Sequence, residues 1–88
     1  MYFILDCKKM TSVPEIHDQL EDVLPLPEYY GRNLDALWDI LSTYGEEIEI
    51  DLDNFDETPD ETRDYVELLI SLFEHLAQKR ENFRFNVE

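Results

Sequence analysis

Glycine and cysteine are scarce in this chain: two glycines and one cysteine, Cys7, in 88 residues. A lone cysteine cannot close an internal disulfide, so no covalent link assists the core; a reducing compartment is the expected setting, with Cys7 a small buried hydrophobe. Two glycines cannot build the glycine-rich loops that cradle phosphates or dinucleotides. Histidine is equally sparse, and His17 and His75 stand far apart, each read as a helix surface or boundary residue. With a single cysteine they supply no zinc site of usual spacing, and no nucleophile, base and orienting group fall together. Neither enzymatic activity nor a cofactor or metal is therefore expected. Asp51–Glu57 is acidic but lacks the glycine and the spacing of a calcium loop, so it reads as a solvated turn. The N-terminal stretch Met1–Lys9 has no basic segment before its short apolar run, and nothing is long enough to span a membrane. The expected location is the cytoplasm.

Positive charge is the other shortage. Seven basic residues face 22 acidic ones, a formal net charge of −15, and Glu46–Asp64 holds ten acids against Arg63 alone. Such a surface repels nucleic acid and anionic lipid and attracts basic proteins. The same acid content also keeps a small protein soluble, and charge alone does not separate the two readings. Self-repulsion predicts that added salt or mild acidification stabilises the free chain. Hydrophobic residues are plentiful at 43%, with five Tyr, five Phe and one Trp, enough for one folded domain over residues 1–88.

Tyr2-Phe3-Ile4-Leu5 is an uninterrupted apolar run, the pattern of a strand covered on both faces and hence central in its sheet. Ser12 and Glu15 form a capping box for a helix that runs to about Asp22, and Pro25 and Pro27 stop it. Pro25–Gly31 reads as a loop, Asn33 as the N-cap of a second helix to about Thr43, and Gly45 as its close. Ile48–Leu52 alternates apolar and acidic residues at period two, as a half-exposed strand does. Thr58-Pro59-Asp60-Glu61 signals the start of the longest helix, whose apolar face is Val66, Leu69, Leu72, Phe73 and Leu76. Lys79 and Arg80 suit the negative end of its dipole. Phe83–Val87 is a third strand. Strands joined by helical connections predict an α/β fold: a small three-stranded parallel sheet, in order 2-1-3 if the first strand is central, packed with three or four helices.

On the second helix Leu34, Leu37 and Leu41 share one face, and Asp35 and Asp39 stand one turn apart on its flank with Trp38 between the stripes. Two acids at this spacing repel each other, a cost of a few tenths of a kcal/mol in an isolated helix. Asp35 lies in the first turn, where the helix dipole favours a carboxylate. Asp39 is mid-helix and has no such compensation. Tyr29, Tyr30, Trp38 and Tyr44 surround the pair, and aromatic rings of this kind anchor interfaces. A ring can occupy a base-stacking site and a carboxylate a phosphate site, so the patch could imitate RNA, although surface acids and core aromatics are an ordinary alternative.

The stretch from Leu26 to Asp39, LPEYYGRNLDALWD, resembles the signature of the barstar family, and the likeness extends to Leu41. Chain length and element order are similar across the whole domain. The resemblance implies an inhibitor, monomeric when free, that protects the producing cell by forming a 1:1 complex with a basic, secreted, guanine-preferring ribonuclease of the barnase type. By position it implies that Asp39 enters the phosphate-binding pocket and pairs with the nuclease's arginines and catalytic histidine, with Asp35 beside it. It also implies partner contacts at Tyr29, Tyr30, Gly31, Asn33 and Trp38, and at Thr43, Tyr44 and Glu46 after the helix. Glu74 stands in for an acid that the family's long helix contributes, and His75 is outside the site. Two departures bear on partner choice: Arg32 places a positive charge within the acidic surface, and Tyr44 replaces a tryptophan. The rival reading is an acidic immunity or regulatory module for another basic partner, which needs only a basic surface rather than a cationic catalytic pocket.

Overall fold

The computed structural model describes residues 1–88. Along the chain come strand β1 (Tyr2–Asp6), a 3-10 turn (Cys7–Lys9), helices α1 (Val13–Val23) and α2 (Leu34–Ser42), and strand β2 (Ile48–Asp53). A second 3-10 turn (Phe55–Glu57), helix α3 (Arg63–Lys79) and strand β3 (Phe83–Val87) follow. The expected α/β class, the parallel sheet and three helices are present. The strand order is not 2-1-3: it is 1-2-3, with β2 central and paired in parallel to both neighbours.

Side-chain alternation explains the difference. Ile48, Ile50 and Leu52 of β2 point inward and are fully buried, together with Leu5 from β1 and Phe83 from β3. Buried residues of all three helices join them in one core, among them Ile16 and Leu20 from α1, Leu37 and Leu41 from α2, and Leu69, Phe73 and Leu76 from α3. The Phe73 ring lies 5.0 Å from Phe85 and 6.1 Å from Phe83 between centroids. The opposite face of the sheet carries Tyr2, Ile4, Glu49, Asp51, Arg84 and Asn86, and Ile4 there is 48% exposed. With only the inner face covered, a central strand can alternate with acids, while the apolar run of β1 places half its side chains in the open.

On this outer face Tyr2 donates its hydroxyl to Asp51, and Asn86 donates to the same carboxylate at 2.9 Å. The Tyr2 bond holds Asp51 below the ordinary carboxylate range, and the phenol is in turn pushed up to about 12. The free edge of β1 is closed at its end by Gln19 of α1, which accepts from the Asp6 N–H at 2.6 Å and donates to the Asp6 carbonyl at 3.1 Å. A side-chain amide thereby takes the place of a fourth strand's peptide and blunts the edge.

Helix boundaries follow local capping chemistry. Ser12 accepts from the Glu15 N–H at 3.2 Å, as the capping box requires, although the Glu15 carboxylate turns to the Thr11 hydroxyl. Helix α3 begins at Arg63, later than the Thr58-Pro59 signal suggests. The Thr58 hydroxyl donates to the Phe55 carbonyl at 2.6 Å and closes the preceding turn, so it is not free to cap. Thr62 instead precedes the helix, and its hydroxyl donates to the Met10 carbonyl at 2.6 Å, tying the start of α3 to the end of the first turn. Gly45 does not close α2 with a left-handed residue, since no glycine has positive φ. Thr43 follows the helix, and its hydroxyl donates to the Asp39 carbonyl at 2.8 Å.

The order of the strands gives a direct stability contrast. Ile50→Ala is expected to cost about 2–5 kcal/mol by chemical denaturation, as for other fully buried aliphatic side chains. Ile4→Ala, on the uncovered face, is expected to cost less than about 1 kcal/mol. Comparable losses at both positions would contradict a central β2.

Candidate functional site

The loop between α1 and α2 is shaped by its prolines and by a tyrosine that points inward. The Tyr30 N–H donates to the Pro27 carbonyl at 3.0 Å and closes a tight turn. Tyr30 is only 6% exposed, while its neighbour Tyr29, at the turn's outer corner, is 85% exposed. Of the two tyrosines expected to face a partner, Tyr29 is accessible and Tyr30 is a core residue. Its hydroxyl lies 2.7 Å from His17 Nδ1, and the other ring nitrogen, Nε2, lies 2.8 Å from the Tyr65 hydroxyl of α3. His17 is 1% exposed, not the surface or boundary residue expected. The signal was present in its spacing, three residues before Leu20 and seven before Leu24, on the stripe that α1 buries.

Asn33 begins α2. Its Oδ1 accepts from the Ala36 N–H at 2.8 Å and its Nδ2 donates to the Gly31 carbonyl at 3.2 Å, so its side chain is committed to the cap. Gly31 is exposed, and a Cβ there would meet Ala36 and Asn33 no closer than 3.4 Å. The left-handed residue of this turn is not the glycine but Arg32, at φ 55°. Arg32 does not add a free positive charge to the surface: its guanidinium folds back onto Asp18 and Glu21 of α1.

Burial of Leu37 and Leu41 against the core fixes the rotation of α2 and turns Asp35 and Asp39 outward, both exposed. Trp38 is half-buried, with Lys79 Nζ of α3 lying 5.6 Å from its ring centroid. Asp39, Thr43 and Tyr44 share a cleft of about 530 Å³ with Tyr29, Ile40, Gly45 and the Pro25-Leu26-Pro27 wall of the loop. Asp35, one turn back on the same helix, lies outside it, as do Gly31, Asn33, Trp38 and Glu46. The Tyr44 hydroxyl stands 3.5 Å from the Glu46 carboxylate. Glu74 is apart from this group, in a separate groove beside β3 with Ala77 and Phe85.

No cation of the chain forms an ion pair with Asp35 or Asp39; the ion pairs are Lys8 with Glu57, and Arg32 with Asp18 and Glu21. The Asp39 carboxylate makes no hydrogen bond within the chain, while its backbone carbonyl receives the Thr43 and Ser42 hydroxyls. Arg80, read from sequence as a dipole partner of α3, serves this region instead. It donates to the Leu41 carbonyl at the end of α2 and to the Glu46 carbonyl at 3.1 Å, bracing both sides of the turn that carries Thr43 and Tyr44. No group of three or more His, Cys, Asp or Glu side chains is arranged to hold a metal ion, and no helix is long and apolar enough to cross a membrane.

A profile of the protein family described as "Barstar (barnase inhibitor)" matches residues 1–88. The chain belongs to the barstar family. Among curated proteins it is similar to the "Putative ribonuclease inhibitor YrdF" of Bacillus subtilis (strain 168), with 51% identity over 39 residues. That match covers 44% of this chain and 43% of the relative, so the aligned part spans less than half the length of either protein. The open cleft on α2 thus lies in a barstar-family domain whose loop is anchored from within by His17 and Tyr30.

Burial holds the His17 imidazole below its ordinary value. The unfolded chain therefore takes up a proton as the pH falls through about 6.5, while the folded chain takes it up only at lower pH. Stability conferred by neutral His17 is complete above about 6.5 and is lost as the pH falls toward the folded value. Over this window the effect opposes the gain from acidification expected of self-repulsion, because most carboxylates protonate only near pH 4. The melting temperature should fall between pH 7 and 5.5, and His17→Gln should flatten that slope. An unchanged slope in the variant would assign the effect to another group. Tyr30→Phe, which orphans a buried ring nitrogen, is expected to cost about 1–3 kcal/mol at pH 7.

Proposed function

We propose that this protein inhibits a basic, guanine-preferring ribonuclease of the barnase type in a 1:1 complex, presenting Asp39 and its aromatic neighbours to the enzyme's cationic catalytic cleft. The observation that carries the reading is the state of Asp39. It is exposed in a cleft with Tyr29 and Tyr44, it is one turn from a second carboxylate, and it has no counter-charge of its own. A site of this kind is completed by cations that come from outside. The family's description as barnase inhibitors and the name of the Bacillus subtilis relative support the same conclusion.

In the proposed mechanism the Asp39 carboxylate takes the place of an RNA phosphate and accepts charge-assisted hydrogen bonds from the enzyme's arginines and histidine. Tyr29 and Tyr44 flank it where bases would stack, and their rigid rings bury large area at little entropic cost. Asp35 adds charge at the N-terminal end of α2, where the helix dipole already favours it. The overall charge of −15 attracts the basic enzyme over a distance of about 8–10 Å at physiological salt and orients the encounter. The proposed setting is the cytoplasm of the producing cell, in keeping with a single free and buried Cys7.

Asp39→Ala is expected to leave the fold intact, since this side chain bonds nothing within its own chain, and to weaken binding by about 2–5 kcal/mol by leaving buried enzyme cations unpaired. Titration of RNA cleavage by a barnase-type ribonuclease measures this. Equal inhibition by the variant would remove Asp39 from the site, and failure of the wild type to inhibit any such nuclease would remove the proposal. The association rate is expected to fall steeply between low and physiological salt while dissociation changes much less. A salt-independent association rate in stopped-flow mixing would contradict electrostatic steering.

A further inference from the structure

Arg32 is the one residue in the recognition loop whose backbone and side chain are both committed in an unusual way. Its φ of 55° lies in the left-handed region, which a long side chain such as arginine seldom occupies. Its guanidinium donates to Asp18 at 2.8 Å, to Glu21, and to the Pro14 carbonyl at 2.9 Å. All three acceptors belong to α1, whose own position is fixed by burial of Ile16 and Leu20. A single exposed ion pair orders little, but a planar fork engaging two carboxylates and a carbonyl is a fixed geometry rather than a point attraction.

The neighbours of Arg32 are held as well. Tyr30 is buried with its hydroxyl at His17, also on α1, and Asn33 is tied to the start of α2. Between these anchors stands Gly31, the most conformationally free residue type. Without Arg32, the Gly31–Arg32 unit would be held only by the Asn33 amide on the Gly31 carbonyl.

We infer that Arg32 is a positioning residue for the recognition surface, clamping the 31–32 turn to α1 so that the loop carrying Tyr29 is in its binding shape before a partner arrives. Ordering a loop in advance removes part of the entropy that association would otherwise lose. The clamp also places one cation between two carboxylates, so the loop presents no net positive charge to a basic partner. The role in binding rests on the inhibitor reading above; the ordering of the loop does not.

The free protein provides the first test. In amide relaxation measurements, order parameters of Gly31 and Arg32 should stand near about 0.85 in the wild type and fall toward about 0.6 in Arg32→Ala and in Asp18→Asn/Glu21→Gln. Arg32→Lys, which keeps the charge but loses the fork, should lie between them, and the denaturation midpoint should move little in any variant. Unchanged order parameters in Arg32→Ala, or a uniform loss of stability without local loosening, would overturn the inference. The second test is binding to a barnase-type ribonuclease. Arg32→Ala should weaken it about tenfold in the wild-type background and cause no further loss in Asp18→Asn/Glu21→Gln. An equal loss in both backgrounds would mean that Arg32 touches the partner, and would also overturn it. If the wild type binds no such nuclease, the functional reading fails while the relaxation comparison still decides whether Arg32 orders the loop.

Discussion

Asp35 and Asp39 repel one another across a single turn of α2, and much of the molecule around them serves to keep them facing water. Leu37 and Leu41 are buried in the core and set the helix's rotation, so the acids cannot turn away. Asn33 caps the N-terminus, while Thr43 and Arg80 satisfy carbonyls at the C-terminus. Each of these bonds stabilises a nine-residue helix that would be marginal alone. The repulsion is thus sustained by tertiary packing and not relieved within the chain.

The distribution of cations is the complement of this arrangement. In a chain with seven basic residues, two arginines are spent on the framework of the cleft. Arg32 ties the preceding loop to α1, and Arg80 ties the following turn to the start of β3 through Asn82 at 3.1 Å. Lys79 is drawn over the Trp38 ring. Positive charge therefore braces the backbone around the cleft without neutralising the acid inside it, and the chain as a whole keeps its net negative charge.

The fold beneath is a two-layer sandwich, with three helices on one face of the sheet and water on the other. That asymmetry accounts for β2, whose acids lie on the open face at the middle of the sheet and are steadied there by Tyr2 and Asn86. It also concentrates the buried apolar side chains on one side, so α1, the loop and α3 meet over a common core. His17 sits at that meeting point, joining Tyr30 of the loop to Tyr65 of α3. A buried histidine between two tyrosines couples the loop's anchorage to the protonation state of one ring.

Local chemistry was legible in the amino-acid order: Ser12 and Asn33 as caps, the 3.6-residue stripes of α1, α2 and α3, the three strands, and the outward pair Asp35 and Asp39. These depend on neighbours within a turn or two, where residue type and spacing suffice. The strand order was not legible, because a four-residue apolar run reads the same whether a second layer covers it or, as at Ile4, water does. Nor could the sequence separate Tyr29 from its neighbour Tyr30, since adjacent residues of one type in a loop carry no period to say which points inward. Apart from Asn82, two residues beyond Arg80, the partners of His17, Arg32 and Arg80 lie between 11 and 48 residues away. The sequence by itself determined the helices, the strands and an acid pair without local compensation. Only the tertiary structure decided where the scarce cations went and which aromatic ring was left in water, because those outcomes depend on contacts between segments that no local pattern encodes.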